Sequence, residues 1–440
     1  MDASGRGSEG KRVVLTTFGS LGDLHPVLAV ALGLKARGHH AVVATSEAYR
    51  PRVESLGLGF AALRPDQPDW EADPGSMGRL MDLRRGPERI IREMVMPVLR
   101  QSYDDTLAAA EGADLLVSHP LTFATRLVAE KAGLPWASTA LSPLSFFSAH
   151  DPPVLAPAQV LSRLRFLGPT FYGPLVRFLK WTVRSWSVPW HRLRAEVGLP
   201  PTGDDPLMEG QHSPSLVLAL FSPLLAAVQP DWPRRTVVTG FPFLGRDGEA
   251  GLPSDLAEFL DGGPPPLVFT LGSAAVRDAG RFYEHSVGAA GMLGRRAVLL
   301  VGDDSRNRPP SLPDGVAVFD YAPFSALFPR AAAIIHQGGV GTTGQALRSG
   351  RPMLVMPYAF DQPDNADRVA RLGVARIITR RRYSAGRAAG ELRRLLGDPA
   401  YARRAEEVGR LVREEDGIGV ACDALEALLL TSRPAAKAGG

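Results

Sequence analysis

Short apolar runs alternate with longer amphipathic stretches along most of the chain. Lys11 to Thr17 turns apolar after a basic start and is long enough for one strand. The segment Phe18-Gly-Ser-Leu-Gly-Asp-Leu-His-Pro reads as a turn, Val27 to Arg37 as a helix that Gly38 ends, and His40 to Thr45 as a second strand. Strand, helix and strand at this spacing predict a βαβ unit and a parallel sheet. The alternation continues with a helix from Pro87 to Ala110, a strand from Asp114 to Ser118, a helix from Leu121 to Ala132 and a strand from Trp136 to Ser138. Two further strands are expected at Leu216 to Leu220 and Thr236 to Thr239.

A change of composition then interrupts the pattern. Residues 244–266 are rich in Gly, Pro and acid, which is the signature of a linker. Beyond them the apolar runs return at Leu267–Leu271, Ala297–Val301, Val316–Phe319, Ala332–Ile335 and Pro352–Met356. The expected fold is α/β, with two Rossmann-like doubly wound domains facing across a cleft. Residues 1–243 would form the first domain and 267–415 the second, with 416–440 a C-terminal helix (Ile418 to Leu430) and a disordered tail. Ligands of such sheets sit beyond the carboxyl ends of the strands, so the turns at those ends are where chemistry is sought.

Composition narrows the classes. A chain of 440 residues exceeds what one hydrophobic core usually serves. A net charge of +4 gives no case for nucleic acid. The single cysteine, Cys422, excludes an internal disulfide framework, fits a reducing compartment and reads as a small buried residue. The first twelve residues are polar and lack the apolar core of a signal peptide, and no apolar run approaches the ~20 residues of a spanning helix. The expected location is therefore cytoplasmic.

The most informative stretch runs from Ala333 to Pro357 and on to Asp361 and Gln362. An apolar strand ends at His336, a glycine-dense turn follows, and a helix runs from Val340 to Gly350. Gly338, Gly339 and Gly341 permit positive φ and close approach by a ligand. The first N–H groups of the helix lack intrahelical partners and suit an anion, with His336, Thr342 and Thr343 as added donors. A dinucleotide reading is weak, because no Gly-X-Gly-X-X-Gly follows the first strand.

The N-terminal Gly-Ser-Leu-Gly-Asp-Leu-His-Pro turn and the C-terminal His-Gln-Gly-Gly-Val-Gly-Thr-Thr, followed by Asp-Gln, resemble a GT-B glycosyltransferase. The branch resembled includes the UDP-glycosyltransferases, sterol glucosyltransferases, antibiotic glycosyltransferases and bacterial rhamnosyltransferases that make glycolipids. The resemblance implies that His336, Gly338, Gly339, Gly341, Thr342, Thr343 and Ser273 contact the donor diphosphate. It gives Tyr321 to the nucleobase, and Asp361 and Gln362 to the donor sugar. Plant members carry a Glu eight residues after the motif histidine to hold the ribose; Gly344 stands there, with Gln345 as the neighbour that would substitute. The choice between UDP and dTDP stays open. The first domain would hold the acceptor and the second the donor.

Transfer with inversion needs a base for the acceptor hydroxyl and a sink for the departing diphosphate. The best base is Asp23, in the turn after the first strand, with His25 two residues on as a helper. In plant relatives that position is a histidine paired with an aspartate. The bland alternative makes Asp23 only a helix cap. His119 also closes a strand and would line the acceptor site. No Asp-X-Asp motif occurs, which argues against a metal-dependent enzyme, so no metal and no cofactor are expected.

Residues 152–195 hold seven Arg or Lys, no acid, and Phe166, Phe171, Tyr172, Phe178, Trp181, Trp186 and Trp190. Such a segment suits an apolar acceptor, or peripheral contact with the inner face of a membrane. The alternative is a helical hairpin that buries its aromatics in the first domain. The reading is an inverting, metal-independent glycosyltransferase moving a hexose from a UDP- or dTDP-sugar to a hydroxyl of a lipid, sterol or polyketide-like acceptor. A nucleotide-sugar epimerase of the same architecture and a non-catalytic nucleotide-sugar-binding protein remain as alternatives.

Overall fold

A computed structural model describes residues 10–67, 75–244 and 251–431. The polar N-terminus, part of the expected linker and the expected tail lie outside the described residues. Among the described residues, thirteen strands form two parallel sheets. The first contains β1 (Arg12–Thr16), β2 (His40–Thr45), β3 (Gly59–Ala62), β4 (Leu115–Ser118), β5 (Trp136–Ala140), β6 (Val217–Ala219) and β7 (Thr236–Val238), in the order β3-β2-β1-β4-β5-β6-β7. The second contains β8 (Leu267–Thr270), β9 (Ala297–Leu300), β10 (Val316–Phe319), β11 (Ala333–His336), β12 (Met353–Val355) and β13 (Ala375–Ile377), in the order β10-β9-β8-β11-β12-β13. Strand order reverses between β1 and β4 in one sheet and between β8 and β11 in the other. Such switch points open a crevice at the carboxyl ends of the strands.

The helices used below are labelled in chain order: α1 (Leu21–Ala36), α2 (Gly168–Val183), α3 (Gly272–Ala275), α4 (Val340–Ser349), α5 (Gln362–Arg371) and α6 (Gly417–Thr431). The first helix starts at Leu21, six residues before the expected Val27, because Ser20 caps it: its Oγ accepts from Gly22 N at 3.2 Å. The expected helix from Pro87 to Ala110 is broken into short pieces before Leu99–Ala109, with Pro97 at the irregular turn. A helix, Ser254–Asp261, lies within the Gly/Pro-rich 244–266 stretch and buries Leu256 and Leu260.

The two halves share core. Phe221, Leu225, Trp232 and Phe241 are buried in the same apolar cluster as Val268, Ile334 and Ala346. After the second sheet the chain returns to the first: α6 buries Ala421, Cys422 and Leu425 against α1. Gly33 permits that approach, since a Cβ there would lie 2.5 Å from Ile418 and 2.8 Å from the Cys422 sulfur. No helix among the described residues is long and apolar enough to cross a membrane.

Candidate active site

Both switch points carry the residues the sequence singled out. Asp23 lies in the first turn of α1, after β1, and the turn that opens with His119 follows β4. Ser20, not Asp23, is the N-cap; Asp23 closes the other half of a capping box by accepting from Ser20 N at 2.7 Å and from Ser20 Oγ at 3.0 Å through Oδ2. Gly19 makes this possible. Its φ is +133°, and a Cβ there would sit 2.3 Å from Asp23 Oδ2. The other carboxylate oxygen meets His119, whose Nε2 is 3.3 Å from Oδ1.

His25 does not join them. Residues two apart on a helix point to different sides, and its imidazole is held down at about 4 by burial and by the charge of Arg52. Its Nε2 is buried without a hydrogen-bond partner. The helper expected at His25 is thus replaced, in position, by His119, which the sequence had placed only on the acceptor wall.

The second switch point is built around α4. Gly338 has φ +88°, and a Cβ there would press on Val355 and on the Gln362 carbonyl, so the turn after β11 lies against the start of α5. Gly339 caps α4 with φ −60° and needs no left-handed backbone. A Cβ on Gly341 would meet nothing within 4 Å. A helix start with open space beside its second residue suits an anion, since the first N–H groups of a helix lack intrahelical partners. Gly272, with φ +65°, brings the turn after β8 against the same place, because a Cβ would lie 2.3 Å from Gln337 Nε2 and 3.3 Å from Thr342 Oγ1. Ser273, exposed in the first turn of α3, and Thr342 are thereby brought together.

His336 lies beneath the glycine turn. Its ring is fully buried, Nδ1 accepts from Gly338 N at 3.1 Å and Nε2 lies 3.4 Å from the Met353 sulfur. Burial drives its pKa down to about 3. The side chain is a neutral brace for the glycine turn. On the adjoining turn, α4 and α5, Gln337 Oε1, Thr343 Oγ1, Gln345 Oε1 and Asn365 Oδ1 are buried without partners. Native proteins rarely leave such groups unpaired without a reason. Gln337 and Asn365 were not singled out from sequence; the signal available was their adjacency to the glycine turn and to Asp361.

Asp361 precedes α5 but its side chain makes no cap hydrogen bond. It accepts from Asn365 Nδ2 at 2.8 Å, and Asn365 Nδ2 also reaches the Gly338 carbonyl at 3.0 Å. Burial pushes the Asp361 carboxyl up to about 7 against that hydrogen bond, and the charge of Asp23 adds to the rise. Phe360, just before it, has φ 56°, a left-handed conformation uncommon for an aromatic residue. Gln362 Oε1 accepts from Tyr358 N at 2.9 Å, which orients its amide. Tyr321 follows β10 and is 56% exposed.

Gly344 has a structural cause. A Cβ there would lie 2.9 Å from the Phe241 ring. Phe241 occupies the space that a side chain at 344 would need.

Two parallel α/β sheets, one with a carboxylate at its switch point and the other with a glycine-rich helix start, define a GT-B glycosyltransferase architecture. Residues 13–144 match the glycosyltransferase family 28 N-terminal domain, and residues 284–415 match the erythromycin biosynthesis protein CIII-like C-terminal domain. The O-mycaminosyltylonolide 6-deoxyallosyltransferase of Streptomyces fradiae is 34% identical over 429 residues, covering 94% of this chain and 97% of the relative. Among solved structures, the kitacinnamycin glycotransferase superposes with a TM-score of 0.70 at 23% identity, over 96% of this chain and 99% of its own. The glycosyltransferase VinC, solved in complex with dTDP, gives 0.66 at 21% identity over 95% and 99%. The chain belongs to the family 1 glycosyltransferases and is an enzyme of that class.

Proposed function

We propose that this enzyme moves a hexose from a nucleoside-diphosphate sugar to a hydroxyl of a hydrophobic acceptor, with inversion and without a metal. The observation that carries the reading is geometric: Leu21, in the turn of α1 that bears Asp23, and Val340, at the start of α4, pack against one apolar cluster, so the two switch points adjoin. A base and a sugar-binding carboxylate thus share one cleft. In the step itself, the acceptor oxygen bonds the anomeric carbon as its proton passes to Asp23. The bond from that carbon to the diphosphate breaks, and the diphosphate leaves with the electron pair. Developing negative charge is received by the N–H groups opening α4, with Thr342 and Ser273 beside them, an electrostatic role that needs no ion.

For the donor, Gln362 and Asp361 suit sugar hydroxyls and Tyr321 suits the base. Gly344 offers no carboxylate for a ribose diol, and Phe241 covers the place. Together with the dTDP found in VinC, this supports a dTDP-sugar over a UDP-sugar. For the acceptor, the name of the Streptomyces relative supports a polyketide-like natural product. The exposed aromatics of α2 support contact with an apolar acceptor or a membrane face.

Incubation with dTDP- and UDP-sugars, with and without a panel of hydrophobic hydroxylated acceptors, tests the proposal by mass spectrometry. A product heavier than the acceptor by one anhydrohexose, formed faster from dTDP-sugars, is expected. An epimerised donor, or unchanged donor with every acceptor, contradicts it.

A further inference from the structure

The pairing of His119 with Asp23 joins residues 96 apart in sequence and adjacent at a switch point. His119 is 5% exposed. Its N–H donates to Thr122 Oγ1 at 3.0 Å, and Thr122 Oγ1 lies 2.8 Å from Thr16 Oγ1, which is also 2.8 Å from Thr125 Oγ1. This threonine cluster ties the turn after β4 to the end of β1. The tautomer is fixed too: Nδ1 accepts from Leu121 N at 3.2 Å, so the ring proton sits on Nε2 and points at Asp23 Oδ1.

We propose that His119 is the positioning residue for Asp23. Ser20 holds Oδ2 through two hydrogen bonds, and His119 Nε2–H holds Oδ1, so the carboxylate cannot rotate about its χ2. One lone pair of Oδ1 stays available for the acceptor hydroxyl. As the proton arrives on Oδ1, the neutral imidazole keeps its own proton and remains a donor. No second proton transfer is needed, and the carboxyl returns its proton to solvent after the glycoside leaves.

The inference rests on Asp23 as the base, and the experiment separates the two claims. His119→Phe and His119→Gln are compared with Asp23→Asn and with the double variant Asp23→Asn/His119→Phe. A general base supplies on the order of 10²–10⁴ in rate, so loss of its orientation is expected to lower kcat by about 10- to 100-fold in His119→Phe, with KM for the donor unchanged. His119→Gln, whose amide N–H can reach Asp23, is expected to recover most of that loss. In the Asp23→Asn background His119→Phe is expected to add little, since coupled residues are not additive. Equal loss in Phe and Gln variants, kcat within twofold in His119→Phe, or full additivity overturns the positioning role while leaving Asp23 as base. Normal turnover in Asp23→Asn removes the base itself. If His119→Phe does not fold, the Gln variant alone and combined with Asp23→Asn carry the same comparison.

Discussion

Asp361 is subject to opposed demands. A sugar-binding carboxylate must be ionised to accept from hydroxyls, yet burial favours its neutral form and places its pKa near 7. The folded state therefore binds a proton that the unfolded chain, with an ordinary carboxylate, has lost. Between the two pKa values this contribution to stability falls as pH rises, and its full penalty is present above about 7. Asp361→Asn is accordingly expected to melt at higher temperature than wild type at pH 8. That advantage should shrink through pH 7 and vanish towards pH 4, while transfer activity is lost. Equal melting temperatures at pH 8 contradict the buried, destabilised carboxylate. At this scale much was legible in sequence: Asp23, Asp361, Gln362 and the glycine turn all fall at strand ends of the cleft. What sequence could not provide was side-chain direction. The His336 ring turns inward although its backbone opens the turn, and His119 is set beside Asp23 only because β1 and β4 are neighbours.

Elements show why some boundaries were readable and others were not. Strands that cross the middle of a sheet announce themselves as apolar runs, as β1, β8 and β11 do. Of the four edge strands, β7 and β10 are legible as Thr-Val-Val and Val-Ala-Val-Phe, whereas β3, Gly-Phe-Ala-Ala, and β13, Ala-Arg-Ile, are partly exposed and carry no such run. Gly344 on α4 shows tertiary context deciding a residue. Because Phe241 fills the space beside it, Gly344→Glu alone is expected to destabilise by about 1–3 kcal/mol, the usual effect of overpacking. Combined with Phe241→Ala, it is expected to regain stability and to improve UDP-sugar use relative to dTDP-sugar; melting curves and donor competition check both. A single variant as stable as wild type contradicts the packing account. The basic segment divides its aromatics: Trp190 and Tyr172 are buried, as in a packed hairpin, whereas Phe166, Phe178 and Trp181 are 80%, 58% and 69% exposed. Phe171, Pro174, Phe178 and Trp181 share one face of α2, with Arg177 and Arg184 flanking it. Low-salt sedimentation with phosphatidylcholine vesicles containing phosphatidylglycerol is expected to carry wild type down, and Phe178→Ser/Trp181→Ser to stay in solution. No binding by wild type contradicts membrane contact and leaves the acceptor role.

Across the whole molecule, the segment before α2 and the helix α5 of the second sheet are fastened together. Arg368 of α5, almost fully buried, donates to Asp364 at 2.7 Å, to the Leu225 carbonyl at 3.1 Å and also to Asp151, while Val154 N donates to Asp364 at 2.8 Å. Arg165, at the foot of the basic segment, reaches Asp367 at 2.6 Å. Asp361 immediately precedes that helix, so the element that carries the residues proposed to bind the sugar also anchors the segment before α2. The C-terminal α6 packs on α1, the helix that carries Asp23. Each half of the site is thus braced by chain from the other half. The account as a whole depends on Asp23 accepting the proton of the acceptor while the second sheet holds the donor independently. The most direct test is to measure turnover of Asp23→Asn alongside its donor-nucleotide affinity by calorimetry. A fall in kcat of at least about 100-fold, with nucleotide Kd unchanged, is predicted. Near-normal turnover would contradict the account.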